Sequence, residues 1–324
     1  MTWIRSHLRV ALALVLVFCA GALWLKQPVI GHDPLLPLPE VVDSAKLQVT
    51  VHRLSVEFRP RDSRHPENLD RAADFIRSEL QAAGGRVSDQ EFTADGHQYR
   101  NLIARFGPEE GERVVVGAHY DAYSDLPAAD DNASGTAGLL ALARLLGRST
   151  LNHPVELVAY TLEEPPYFGS TRQGSAVHAK SLRLAGVKLR AMLCLEMIGY
   201  YSDRSGSQEY PHPALKLIYP TRGNFLAVVG RGKEVALIRR VKRAMQGGSL
   251  PIRSLNDPIG LIGTDLSDHA SYWREGYPAV MLTDSAFYRN QAYHEAGDTE
   301  DRLDYARMAQ AVAATYQAVM RLAE

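Results

Sequence analysis

A three-layer α/β/α fold around a central mixed, largely parallel sheet is what this sequence predicts, on three observations. Short apolar runs recur at 101–106, 114–117, 155–162, 191–196 and 279–283, each of the length and composition that suits a strand buried in a sheet. Segments with apolar residues at helical spacing lie between several of them. The chain has 324 residues, 46% of them hydrophobic and 23% charged, which is enough apolar side chain for one large core. Strands that alternate with helices build a sheet covered on both faces, and ligands then bind beyond the carboxyl ends of the strands.

The elements follow in chain order. Arg5, His7 and Arg9 precede an uncharged apolar run from Val10 to Leu25, closed by Lys26, which reads as an export signal. The run is somewhat short of the ~20 residues that span a bilayer comfortably, and Ala20, Gly21 and Ala22 offer a signal-peptidase site, so residues 1–26 are read as a cleaved signal peptide or a retained membrane anchor. Either places the protein outside the cytoplasm: periplasmic, secreted or tethered. Residues 27–40, rich in proline, are expected to form a tether into a body spanning 41–324. Leu69, Ala72, Ala73, Ile76 and Leu80 form a helical stripe, stopped by Gly84 and Gly85. Further helices are expected at 138–146 and 305–322, the latter with Met308, Val312, Tyr316 and Met320 four residues apart.

Charge and cysteine content narrow the function. Thirty-six basic residues against 37 acidic ones, mixed along the chain, leave no field that would draw in nucleic acid, so a peptide or small-molecule substrate fits better. Of the two cysteines, Cys19 lies in the targeting segment, where Phe18 before it argues against lipidation. Cys194 is left alone in an apolar strand, as an inert buried thiol.

Five motifs follow predicted strands. In His119-Tyr120-Asp121, Asp121 lies two residues beyond His119, a spacing at which an extended chain turns both side chains the same way, so the carboxylate can orient the imidazole. Asp130-Asp131-Asn132-Ala133-Ser134-Gly135 opens a helix; its acids either cap that helix or reach the same rim as His119. Glu163-Glu164 ends a strand, where adjacent carboxylates repel unless cations or protons offset them. Glu196 emerges from an apolar strand, and Tyr293-His294 sits in a loop followed by Asp298-Thr299. Each motif alone is also what a solvated loop or a helix cap looks like. Gly169-Ser170 and Gly174-Ser175 lack the nucleophile elbow of a serine hydrolase and read as turn or helix-cap residues.

Together these residues resemble the co-catalytic zinc exopeptidases, the family that includes secreted bacterial aminopeptidases, plasma glutamate carboxypeptidase and glutaminyl cyclases. The similarity runs from about Leu69 to the C-terminus and takes in Ser267-Asp268-His269 and Tyr277-Pro278-Ala279 as well. It implies two zinc ions bridged by Asp131, with His119 and Glu196 completing one site and Glu164 and His294 the other. It makes Glu163 the general base, Tyr293 a candidate for stabilising the oxyanion, and Asp131–Asn132 a cis peptide. The implied activity is an exopeptidase, first of all an aminopeptidase, in which a water shared by the metals gives its proton to Glu163 and attacks the terminal peptide bond. Asp268 and His269 are expected in capping or supporting roles. Glu196 stands where many relatives have aspartate, and Pro165-Pro166 and 200–224 differ from the best-known aminopeptidases. A single-zinc glutaminyl cyclase and a non-catalytic recognition domain of the same fold are the competing expectations.

Overall fold

Valines and leucines at successive positions leave a strand no polar side to turn to water, so such strands must be covered on both faces. The protein, seen in a computed structural model that describes residues 2–257 and 259–324, solves this with one sheet of eight strands among the described residues. They are β1 (Arg86–Ala94), β2 (His97–Phe106), β3 (Arg113–His119), β4 (Val155–Tyr160), β5 (Leu189–Glu196), β6 (Leu226–Arg231), β7 (Ile252–Asp257) and β8 (Ala279–Thr283). Their spatial order is β1-β2-β4-β3-β5-β8-β6-β7. Strands β4, β3, β5 and β8 run parallel through the centre, β1, β2 and β6 pair antiparallel, and β7 lies parallel to β6.

Helices α2 (Ser44–His52), α3 (Pro66–Ala82), α4 (Gly135–Leu146), α5 (Gly174–Leu184), α6 (Val235–Met245), α7 (His269–Arg274) and α8 (Tyr305–Leu322) fill the outer layers, and α1 (Thr2–Lys26) meets the body only near its last turn. Alternate strand residues divide between two cores. Val114, Val116, Leu193 and Leu195 pack with α3, α4 and α8, whereas Val115, Met192, Cys194 and Met281 pack with α5 and α7. The expected three-layer architecture is the one observed.

Several details differ from the sequence reading. The strand expected at 155–162 stops at Tyr160, because Leu162 takes a left-handed conformation at φ 57°. The strand expected from 101 starts at His97, and the helix expected from 138 starts at Gly135. The polar edge strand β1, the pair β6 and β7, and helices α2, α5, α6 and α7 were not expected from the sequence, although β6 is an apolar run and α6 buries Leu237, Ile238, Val241 and Met245 at helical spacing. Residues ahead of the expected body boundary are also bonded to it: Leu36 and Gln317 exchange two hydrogen bonds of 2.8 Å, and Arg321 donates to Pro34 O at 2.8 Å.

Candidate metal centre

Register brings the site together. Gly117 pairs with Cys194 across β3 and β5, so His119 and Glu196, each two residues further on, emerge side by side at the carboxyl rim. His119 ends β3 and is buried, with Nδ1 3.2 Å from Asp121 O and 3.5 Å from Asp121 Oδ1. A proton on Nδ1 is thereby held by a carbonyl, and the Nε2 lone pair faces the centre. The Asp121 carboxylate is used elsewhere: it accepts the amides of Glu163 at 3.1 Å and Glu164 at 3.0 Å, and so fixes the loop that carries both acids. The expected link between Asp121 and His119 is present, mainly through the backbone.

The second motif is tied to β5 rather than left as a simple cap. Residues 129–134 form an irregular turn with a cis peptide at Asp131–Asn132. Asn132 donates to Leu195 O at 2.8 Å and accepts from Gly135 N at 3.0 Å and Met197 N at 3.1 Å. Gly135 is required there, since a Cβ would lie 2.6 Å from Leu195 O. From the other side, Asp298 accepts the amides of Asp130 and Asp131, each at 3.1 Å.

These anchors leave the Asp131 carboxylate between two imidazoles. His119 Nε2 lies 3.4 Å from Asp131 Oδ1 and 3.5 Å from Glu196 Oε2. His294 Nε2 lies 3.1 Å from Asp131 Oδ2 and 3.3 Å from Glu164 Oε2. In each trio the donor atoms all lie within 4.8 Å of one another. Nitrogen and oxygen ligands ~2.0–2.1 Å from a tetrahedral zinc stand roughly 3.3–3.5 Å apart, so these separations suit such an ion. Buried Glu164 Oε1 and His294 Nε2 make no hydrogen bond, as befits atoms meant for a cation. Glu163 stands beside these two trios, its Oε2 3.9 Å from His119 Nε2, and forms a third cation-sized group with His119 and Glu164.

Crowding of like charge under burial shifts the titrations. Burial, then Asp131, pushes Glu164 up to about 8, and burial raises Glu163 well above the usual carboxylate range. Burial opposes protonation of His294, yet the Asp131 and Glu164 carboxylates beside it bring it up to about 10. Asp131, between the two imidazoles, is held below the usual carboxylate range, whereas the outer acids Glu163, Glu164 and Glu196 are raised by burial, a split that external positive charge would relieve.

All five expected ligands converge, with Glu163 and Asp121 beside them. Tyr293 stacks on the His294 ring at 3.9 Å, and Tyr293 and Glu196 both line an apolar cavity that adjoins the centre. Asp268 and His269 stay outside the candidate ligand groups: Asp268 accepts from Gln173 Nε2 at 3.3 Å, and His269 Nε2 faces Thr264 O at 2.8 Å. Cys194 is a buried thiol beside Ser267 Oγ, its pKa raised by burial.

Three contributors were given no role from the sequence, although Ser267 lies in the Ser267-Asp268-His269 motif. Ser267 Oγ donates to Glu196 Oε2 at 2.6 Å. Tyr123 covers the face of His294 opposite Tyr293, at 4.2 Å and 6° between planes. Fully buried Arg61 donates to the carbonyls of Leu54, Tyr120 and Ala128, fastening the loop between the first two motifs.

Residues 101–319 match Peptidase family M28. The chain belongs to peptidase family M28. Membership makes it a hydrolase of the metallopeptidase class. Among relatives of this M28 chain, uncharacterized protein YfbL of Escherichia coli (strain K12) is 44% identical over 311 residues, covering 93% of this chain and 95% of that protein. Leucine aminopeptidase 1 of Coccidioides posadasii is 28% identical over 244 residues, 71% of this chain and 57% of that one. The chain thus spans little more than half of the aminopeptidase it matches there. In solved structures, the zinc aminopeptidase BSAP from Bacillus subtilis superposes with TM-score 0.70 at 15% identity, over 88% of this chain and 95% of that one. A glutaminyl cyclase of Bacteroides thetaiotaomicron superposes with TM-score 0.67 at 19% identity, over 88% and 99%. At such identities the likeness shows a shared fold.

Proposed function

We propose that this M28 chain is a di-zinc aminopeptidase that hydrolyses the N-terminal bond of peptides or aminoacyl compounds. The observation that carries the reading is the split of Asp131, one oxygen turned to His119 and Glu196 and the other to His294 and Glu164. That is the disposition of a bridging ligand with a trio on each side. Zinc ions held there supply Lewis acidity, which lowers the pKa of water to about 7 and polarises a peptide carbonyl. Glu163 accepts the proton of the attacking water and returns it to the leaving amine. Asp121 holds Glu163 and Glu164 by their amides while its carbonyl keeps His119 in the tautomer that ligates. Tyr293, at the cavity wall beside His294, donates its hydroxyl proton to the developing oxyanion.

The amino end is taken from relatives such as leucine aminopeptidase 1, and Arg61, which spends its donors on the carbonyls of Tyr120 and Ala128, is not free to hold an α-carboxylate. The test is zinc stoichiometry of the purified full chain together with turnover of aminoacyl amides and N-terminal glutaminyl peptides. Two zincs and released amino acid are expected; one zinc with ring closure of glutamine would instead favour the cyclase. Glu163→Gln is expected to cut turnover by about 10²- to 10⁴-fold with both zincs retained, and near-full activity would remove Glu163 from its role.

A further inference from the structure

Where helix α1 meets the body decides which way the catalytic rim faces. The last turn of α1 lies against the outermost strand: Lys242 Nζ donates to Lys26 O at 2.8 Å, and Ser254 Oγ donates to the same oxygen at 2.6 Å. Two residues earlier in α1, Trp24 O accepts from Asn256 Nδ2 at 3.4 Å, and the Trp24 ring lies near Gly232. Moving backward along α1 is therefore moving forward along β7.

Strand β7 is parallel to β6, and β6 is antiparallel to β8, whose carboxyl end pairs with Glu196. The forward end of β7, at Asp257 beside Arg231, is thus the rim opposite His119 and Glu196. The rest of α1 leaves the body there, about 22 Å of helix from Trp24 back to Arg9. The segment Arg9–Lys26 has mean hydropathy 1.9, with none of it buried against the body. Trp24 and Lys26 at its end are residue types that favour a membrane–water interface. Exposed Ile259, on the same rim just past Asp257, is 80% accessible.

We propose that α1 is retained as a bilayer anchor and that the rim bearing Gly232, Lys233 and Ile259 rests in the phospholipid headgroup layer, with the catalytic rim turned to the aqueous phase. The docking is one of height: Gly232 and Asn256 lie level with Trp24, so an anchor that seats Trp24 at the interface seats that rim with it. Substrate then reaches the centre from solution rather than from the lipid.

The experiment uses the full chain carrying Cys19→Ser, reconstituted into phosphatidylcholine–phosphatidylglycerol vesicles. An environment-sensitive fluorophore is attached at Ile259→Cys or, as a second reporter on the same rim, Lys233→Cys; Asp125→Cys, in the exposed loop behind His119, reports the opposite rim. Emission at either lower-rim position is expected to shift to the blue and be quenched at least two-fold by lipids spin-labelled near the headgroup, with no change at Asp125→Cys. Equal responses at the two rims, quenching at Asp125→Cys, lack of vesicle association, or an intact mass of the membrane-derived protein that begins after residue 20 would each overturn the proposal.

Discussion

His119 and His294 are held by different forces. His119 is steered by a hydrogen bond from Nδ1, which sets the direction of Nε2. His294, at φ 55°, is clamped between Tyr123 at 4.2 Å and Tyr293 at 3.9 Å, which sets the plane of its ring. Removing one plate of the clamp frees the ring to rotate away from Asp131 and Glu164. Tyr123→Ala is expected to weaken one of two zinc sites about ten-fold in a chelator-competition titration, a typical cost for losing an orienting partner, and Tyr123→Phe to restore it. Equal weakening by Ala and Phe would mean that the hydroxyl, and not the ring face, matters. The candidate ligands were picked out in the sequence by short acid- or histidine-bearing motifs and the resemblance these carry, with His119 and Glu196 at strand ends and Asp131 and His294 in loops beyond them. Tyr123 and Arg61 were not, since their partners lie in other segments of the chain.

At the scale of elements, the lower half of the sheet is pinned by one charged cluster. Glu156 on β4 is fully buried, with Arg105 of β2 at 2.7 Å, Arg113 of β3 at 3.2 Å and His178 of α5 at 3.0 Å. Burial alone would raise its carboxyl, but His178 and Arg105 bring it down to about 2, against 4.5 for an ordinary glutamate. A carboxyl depressed in the folded state stabilises above its unfolded value and loses that contribution as the pH falls, so the stability it adds should disappear between about 4.5 and 2. Glu156→Gln leaves two guanidinium groups without their partner and is expected to cost about 3 kcal/mol at pH 7 in urea unfolding, with a flatter acid limb than the parent. An unchanged acid limb would place the pH sensitivity elsewhere. The central strands were readable from their apolar runs, whereas β1 and β7 carry polar residues along their length and take their places from the neighbours they pair with.

For the whole molecule, the centre is a local electrostatic cost within an otherwise well-packed core. Three buried carboxylates face one another across two imidazoles, and a cation that binds only the folded state stabilises it by mass action. Chelation is therefore expected to lower the melting temperature and to abolish turnover together, and added zinc to restore both. Loss of activity with an unchanged melting curve would show that the loops around 119–134 and 163–164 keep their places without metal.

Local spacing is what the sequence by itself could determine: which runs make central strands and helices, which acids and histidines end those strands, and that the N-terminal run is apolar. Such properties depend on neighbours a few residues away, and a period or a motif records them. Tertiary structure alone decided which oxygen of Asp131 faces which imidazole, that Tyr123 closes over His294, and that β6 runs against β8 so that α1 leaves from the far rim. Those facts depend on segments as far as 232 residues apart, whose meeting is settled by how the sheet packs and not by any pattern either segment carries.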